Sequence, residues 1–147
     1  MILVSACLAG FNCRYNGNHH EDARIVQLVK EGKALPVCPE QLGGLTTPRS
    51  PAEITEDGRV IAKKGEDVTK QFVLGAEETL RLCQLYNCKF AILKSLSPSC
   101  GSDQIYDGTF KKVVIEGDGL TAKLLKENGI VVLTENAKDD IVMLKVL

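Results

Sequence analysis

The 147-residue chain lacks a charge excess of either sign, since 18 basic side chains face 19 acidic ones for a formal net charge of −1. That balance excludes the basic footprint by which proteins hold polynucleotides through charge, so no strong nucleic-acid surface is expected. No apolar run is long enough to cross a bilayer as a helix, and no membrane association is expected. The apolar first ten residues follow no basic segment and meet their first charge at Arg14, so a secretory signal is not expected either. Internal repeats, low-complexity tracts and linkers are missing. What is present is ordinary for a globular protein: 44% apolar and 25% charged residues. The length suits one domain over 1–147 that buries a core without crosslinks.

Also missing is any Cys-x-x-Cys pair, although the chain has six cysteines. A reducing cytoplasmic location is expected, where six thiols do not read as three disulfides. Their positions acquire meaning on a map of the elements. Short apolar runs bounded by turn residues predict strands at 2–5, 34–37, 90–93, 112–115 and 130–133. Helical spacing predicts helices over 22–31, ending at Gly32, from 67–69 onward with Phe72, Ala76, Leu80 and Cys83 on one stripe, over 120–127, and over 137–144. Strands alternating with helices imply parallel pairing, hence an α/β three-layer sandwich with a mostly parallel, Rossmann-like sheet. Residues 42–65, with Pro48, Pro51, Gly58 and Gly65, read as a long loop carrying a small hairpin at 54–61.

On that map Cys7, Cys38 and Cys100 each follow a strand. In an open parallel sheet the loops at the carboxyl ends share one edge, where such folds bind ligands. These three thiols are therefore candidates for one site able to hold an iron–sulfur cluster or a zinc ion. Against this stands the habit of free cysteine to fill core space. Cys83, on a helical stripe, and Cys88, leading into a strand, take that reading. Cys13 shares a loop with Cys7 and is open to three roles: fourth ligand, redox partner or packing.

The chain carries Ser5-Ala6-Cys7-Leu8-Ala9-Gly10 with Arg14-Tyr15-Asn16-Gly17, then Cys38-Pro39-Glu40 with Gly43-Gly44-Leu45 and Pro48-Arg49. These are followed by Asp67-Val68-Thr69, Gly75-Ala76, Leu93-Lys94 and Ser97-Pro98-Ser99-Cys100-Gly101, then Tyr106-Asp107-Gly108 and Gly117-Asp118-Gly119. In these segments, taken in order, the sequence resembles the thiouracil desulfurase family. The resemblance implies an iron–sulfur-dependent desulfurase that hydrolytically removes sulfur from thiolated pyrimidines such as 2-thiouracil. The implied cofactor is a 4Fe-4S cluster held by Cys7, Cys38 and Cys100, with one iron left open to polarise the thiocarbonyl sulfur. It further implies catalytic roles for Glu40, as proton carrier, and Ser97, as donor to the ring. Arg14 and Arg49, in rim loops, are expected to orient the planar substrate, and Lys94 to add positive potential. Asn16 stands where the family usually has Asp, and Cys13 is a thiol many relatives lack.

Other readings of the same residues remain open. A three-cysteine zinc hydrolase would occupy the same strand ends, and a non-enzymatic module binding thiolated nucleobases would use the same pocket. The run Gly117-Asp118-Gly119-Leu120-Thr121-Ala122, with Glu135 downstream, imitates a dinucleotide fingerprint. It falls at the fourth predicted strand, with too little chain after it, and reads instead as a tight turn opening a helix. His19 and His20 are adjacent, diverge on a helix start and read as solvated. Nothing in the sequence specifies an oligomer.

Overall fold

The computed structural model describes residues 1–144. Ile2–Ser5 (β1) is buried at every position, so it belongs at the centre of a sheet. A single 3-10 turn, Ala6–Ala9, follows, then the helix Ala23–Lys30 (α1) and the strand Ala34–Val37 (β2). Asp22 caps α1 by accepting from the Arg24 backbone N–H at 3.0 Å, and the chain turns off it at Gly32 with φ 69°. A four-residue helix, Pro39–Leu42 (α2), precedes the hairpin of Ala52–Ile54 (β3) and Val60–Ala62 (β4). The long helix Thr69–Leu85 (α3) leads into Phe90–Leu93 (β5), Gln104–Tyr106 (β6) and Val114–Glu116 (β7). Leu120–Glu127 (α4), Val131–Thr134 (β8) and Lys138–Leu144 (α5) complete the described chain.

Four strands form one parallel sheet in the order β2-β1-β5-β8. The two-residue period of a strand sends alternate side chains to opposite faces. Ile2, Val4 and Ile92 pack with Ile25 and Leu28 of α1 and Ile141 and Leu144 of α5. Leu3, Ala91, Leu93 and Val132 pack with Cys83 of α3 and Ala122 and Leu125 of α4. Two apolar layers around one sheet make the expected three-layer sandwich. Ile25 and Leu28 have no exposed surface, and burying each side chain stabilises the fold by about 1.5–3 kcal/mol.

Two expectations need correction. Residues 112–115 do not add a strand to the parallel sheet. β7 pairs antiparallel with β6 in a separate hairpin, Ile105 opposite Ile115. No helix separates β6 from β7, so the chain lacks the crossover that parallel pairing requires. The helix α2 and the strand β6 were not expected at all. The predicted hairpin in the long loop exists, as β3 and β4, with Val60 packed against Val68 and Phe72 at the start of α3.

The placement of α2 depends on two glycines. A Cβ at Gly43 would collide with the Gln71 carbonyl oxygen, and one at Gly75 with that of Pro39. Without side chains at these positions, α2 and α3 meet backbone to backbone. That contact fixes the short helix carrying Glu40 at the carboxyl end of β2.

Candidate functional site

A cavity of about 790 Å³ opens at the carboxyl ends of β1, β2 and β5. Cys7, from the 3-10 turn after β1, Cys38, between β2 and α2, and Cys100, in the loop after β5, all line it. So do Glu40, Ser97, Arg14 and Arg49. All seven residues singled out in the sequence thus face one space. Cys7 and Cys100 are buried, Cys38 is half-buried, and none of the six cysteines is in a disulfide.

The donor set is soft. Three thiols from three loops suit iron–sulfur or other thiophilic metal chemistry, where carboxylates and carbonyls would suit hard cations. Among the described residues no three Cys, His, Asp or Glu side chains gather around a single-ion position. A zinc ion would need its thiolates about 2.3 Å from one centre. A cluster places each thiolate on its own iron and so asks only that the cysteines border one wider space, and all three line the same cavity.

Two of the three candidate thiols, Cys38 and Cys100, are held protonated when bare. Burial pushes Cys100 up to about 12, with the Ser5 and Ser99 hydroxyls opposing it weakly. A hydrogen bond with Cys13, together with burial, pushes Cys38 upward. Cys13 is itself buried between ligand candidates. Its contact with Cys38 lowers its pKa, but contact with Cys7 and burial prevail and hold it up to about 11. Metal binding at these thiols must therefore displace protons. The Cys38 thiol also points at the Cys13 carbonyl oxygen, 3.7 Å away.

Glu40 and Arg49 form one unit. Arg49 Nε donates to Glu40 Oε2 at 2.7 Å, and Nη2 makes a second contact with the same oxygen. The rest of the guanidinium is committed as well. Nη2 donates to the Cys13 carbonyl at 2.9 Å, and Nη1 to the Thr46 carbonyl and the Thr47 hydroxyl at 3.1 and 2.9 Å. Arg49 therefore ties the Cys13 loop to Glu40, which leaves the orienting role expected of it without a spare donor. Arg14 contrasts with it, stacking over the Tyr15 ring at 5.6 Å with no carboxylate partner among the described residues.

Ser97 shapes the loop that carries Cys100. Its Oγ accepts from the backbone N–H groups of Ser99 and Cys100 at 3.1 and 3.0 Å, and its own O–H stays free to donate. Lys94 contributes less positive potential than expected, because Nζ bonds Glu135 Oε2 at 3.0 Å and the Ser95 carbonyl and hydroxyl at 3.1 Å each. Glu135 is thereby accounted for. Asp118 accepts from the Asp103 N–H at 2.8 Å and from Lys126 Nζ at 2.7 Å, so the Gly117–Gly119 run is a tight turn before α4. Cys83 and Cys88 lie in the core beneath α3 and α4. The sequence reading missed Ser5, whose hydroxyl accepts from the Lys94 N–H at 2.9 Å and touches Cys100. Its signal was a polar residue closing an apolar strand.

Comparison with known proteins gives the following. The chain matches the 2-thiouracil desulfurase family over residues 2–137. It is 49% identical over 150 residues to "Uncharacterized protein YbbK" of Bacillus subtilis (strain 168), covering 96% of this chain and 99% of that one. Its fold superposes with a TM-score of 0.92 on the structure of a [4Fe-4S]-dependent thiouracil desulfidase, TudS, at 43% identity over 99% of this chain and 98% of the other.

Proposed function

The chain belongs to the 2-thiouracil desulfurase family, and from that premise we propose how its cavity removes sulfur. The protein is a [4Fe-4S]-dependent enzyme acting on thiouracil-type pyrimidines. Cys7, Cys38 and Cys100 would hold the cluster, and the observation that supports this is their convergence on one cavity with Glu40 and Ser97. When bound, the cluster supplies a soft Lewis acid for the thiocarbonyl sulfur.

The remaining chemistry belongs to the chain. Overall, C=S and water become C=O and hydrogen sulfide, with no net electron transfer. Glu40 takes a proton from the attacking water and returns it to the leaving sulfur. Arg49 holds that carboxylate through two nitrogens on one oxygen, which leaves the other oxygen to carry the proton. Ser97, with its oxygen anchored to two backbone N–H groups, donates its hydroxyl proton to the ring. Arg14 hydrogen-bonds the ring's polar edge. With Lys94 paired to Glu135, Arg14, Arg49, Lys63, Lys64 and Lys112 line the cavity against Glu40, Glu53 and Glu66, an excess that offsets part of the negative charge of three thiolates. Six free thiols suit a reducing cytoplasm.

The test is anaerobic reconstitution with iron and sulfide, followed by sulfide release from a panel of thiolated pyrimidines. Glu40→Gln should retain iron and lose at least about a hundredfold in turnover. A colourless protein with stoichiometric zinc, or binding without sulfide release, would overturn the proposal.

A further inference from the structure

The chain has three tyrosines, four phenylalanines and no tryptophan, and four of these seven rings line the cavity: Tyr15, Phe72, Tyr106 and Phe110. Phe72 is core, packed with Val60 and Val68. Tyr106 is a strand residue of β6, and Tyr15 carries Arg14. Phe110 is different. It is half-buried, and among the described residues it belongs to none of the three apolar clusters. Its backbone is left-handed, φ 60°, a conformation that a residue with a bulky side chain rarely adopts.

The surrounding loop enforces that conformation. Glu53 Oε1, on β3, accepts from the backbone N–H groups of Gly108 and Phe110 at 3.0 and 3.2 Å. The Asp107 N–H donates to the Val113 carbonyl at 2.9 Å, closing the loop. Asp107 Oδ1 accepts from the Thr109 N–H at 3.0 Å. Gly108 lies against β3 so closely that a Cβ would come within 2.7 Å of the Ile54 carbonyl oxygen. A side chain that the core does not use is thus held at a strained position by an anchored loop. Strain of this kind persists only where the surrounding structure over-determines it, and it clusters at ligand-binding and active sites.

We propose that Phe110 is the face on which the thiolated pyrimidine stacks, its left-handed backbone turning the ring toward the cavity. The inference rests on the desulfurase reading. A pyrimidine offers two apolar faces and a polar edge, and an aromatic side chain fixed in advance recognises the face without ordering cost. Glu53 is the positioning residue for that ring, acting through the backbone of the loop.

The proposal makes affinity and stability respond differently to one substitution. Phe110→Gly removes the ring and relieves the backbone. In the reconstituted enzyme, KM for the thiolated pyrimidine that wild type turns over best should rise about tenfold (about 1.4 kcal/mol), with kcat within about twofold. Binding of uracil, followed by equilibrium dialysis, should weaken by about the same factor. Iron content should be unchanged, and Tm should hold or rise. Phe110→Tyr keeps the ring and should keep KM within about twofold. An unchanged KM in Phe110→Gly, or a fall in its Tm, would make the ring dispensable or merely structural and overturn the proposal. Wild-type protein that releases no sulfide and binds no member of the panel would instead bring down the desulfurase reading, and this inference with it.

Discussion

Replacing Arg49 with Met should destabilise the cluster-free protein by about 3–5 kcal/mol. The magnitude follows from burial. The Arg49 and Glu40 side chains are 9% and 14% exposed, so removing the guanidinium leaves a carboxylate largely out of water with no counter-charge. The carbonyls of Cys13 and Thr46 lose a charged donor at the same time. Against a typical total of about 5–15 kcal/mol, such a loss is a large share. The assay is urea unfolding of apo protein under reductant, with Arg49→Met, Glu40→Gln and the double variant forming a cycle. The double variant should be more stable than the sum of the two single losses by at least about 1 kcal/mol, because Glu40→Gln removes the stranded charge. A loss below about 1 kcal/mol in Arg49→Met, or strict additivity in the cycle, would refute the reading of Arg49 as the clamp on Glu40. Arg49→Lys, which keeps the charge but not the fork, should restore only part of the stability.

Three further outcomes follow from the same geometry. Cys7→Ala, Cys38→Ala and Cys100→Ala should each fail to assemble a cluster, whereas Cys83→Ala should retain iron and lose about 1 kcal/mol of stability to a small cavity; iron analysis and melting separate the two classes. Gly75→Ala should cost about 1–3 kcal/mol and lower turnover, since the new methyl collides with the Pro39 carbonyl and displaces the helix bearing Glu40; unchanged melting and activity would contradict the close contact. Hydrogen bonding to Arg24, opposed by burial, lowers the Asp22 carboxyl below its ordinary range, so its stabilisation is present above about pH 4 and lost as pH falls further. Asp22→Asn, which keeps the cap and loses the ion pair with Arg24, should therefore cost up to about 1 kcal/mol at pH 7 and progressively less as pH falls below about 4, as measured by denaturation across that range.

Much of the frame was legible because burial imposes simple patterns. β1, β2 and β5 coincide with the predicted runs 2–5, 34–37 and 90–93, and β8 is displaced by one residue from 130–133. These strands lie between two helical layers, so their apolar character is continuous and visible. β6 was missed because it has only three residues, and the run at 112–115 was given to the wrong sheet because β7, short and exposed throughout, carries no burial pattern that tells its partner. The three cysteines were legible through topology: an element map alone brings strand ends to a common edge. The partner of Arg49 was not. Whether a guanidinium in a proline-rich loop meets substrate or a carboxylate nine residues away depends on how the loop closes, and no local pattern records that. Ser97 was legible as a site residue, but its bonds to the Ser99 and Cys100 backbone emerge only from the folded turn.

The strand order has one consequence for the chemistry. The cysteines rise from three adjacent rails, β2, β1 and β5, while the outer rail β8 carries none. Neighbouring rails stand about 4.8 Å apart, so the backbone acts as a ruler whose outer marks are roughly 10 Å apart. That gauge is set by hydrogen bonds between main chains and survives exchange of almost any side chain along the sheet. The spacing of the three backbones that lead to Cys7, Cys38 and Cys100 is thus inherited from peptide geometry, and the pocket walls can change without altering it.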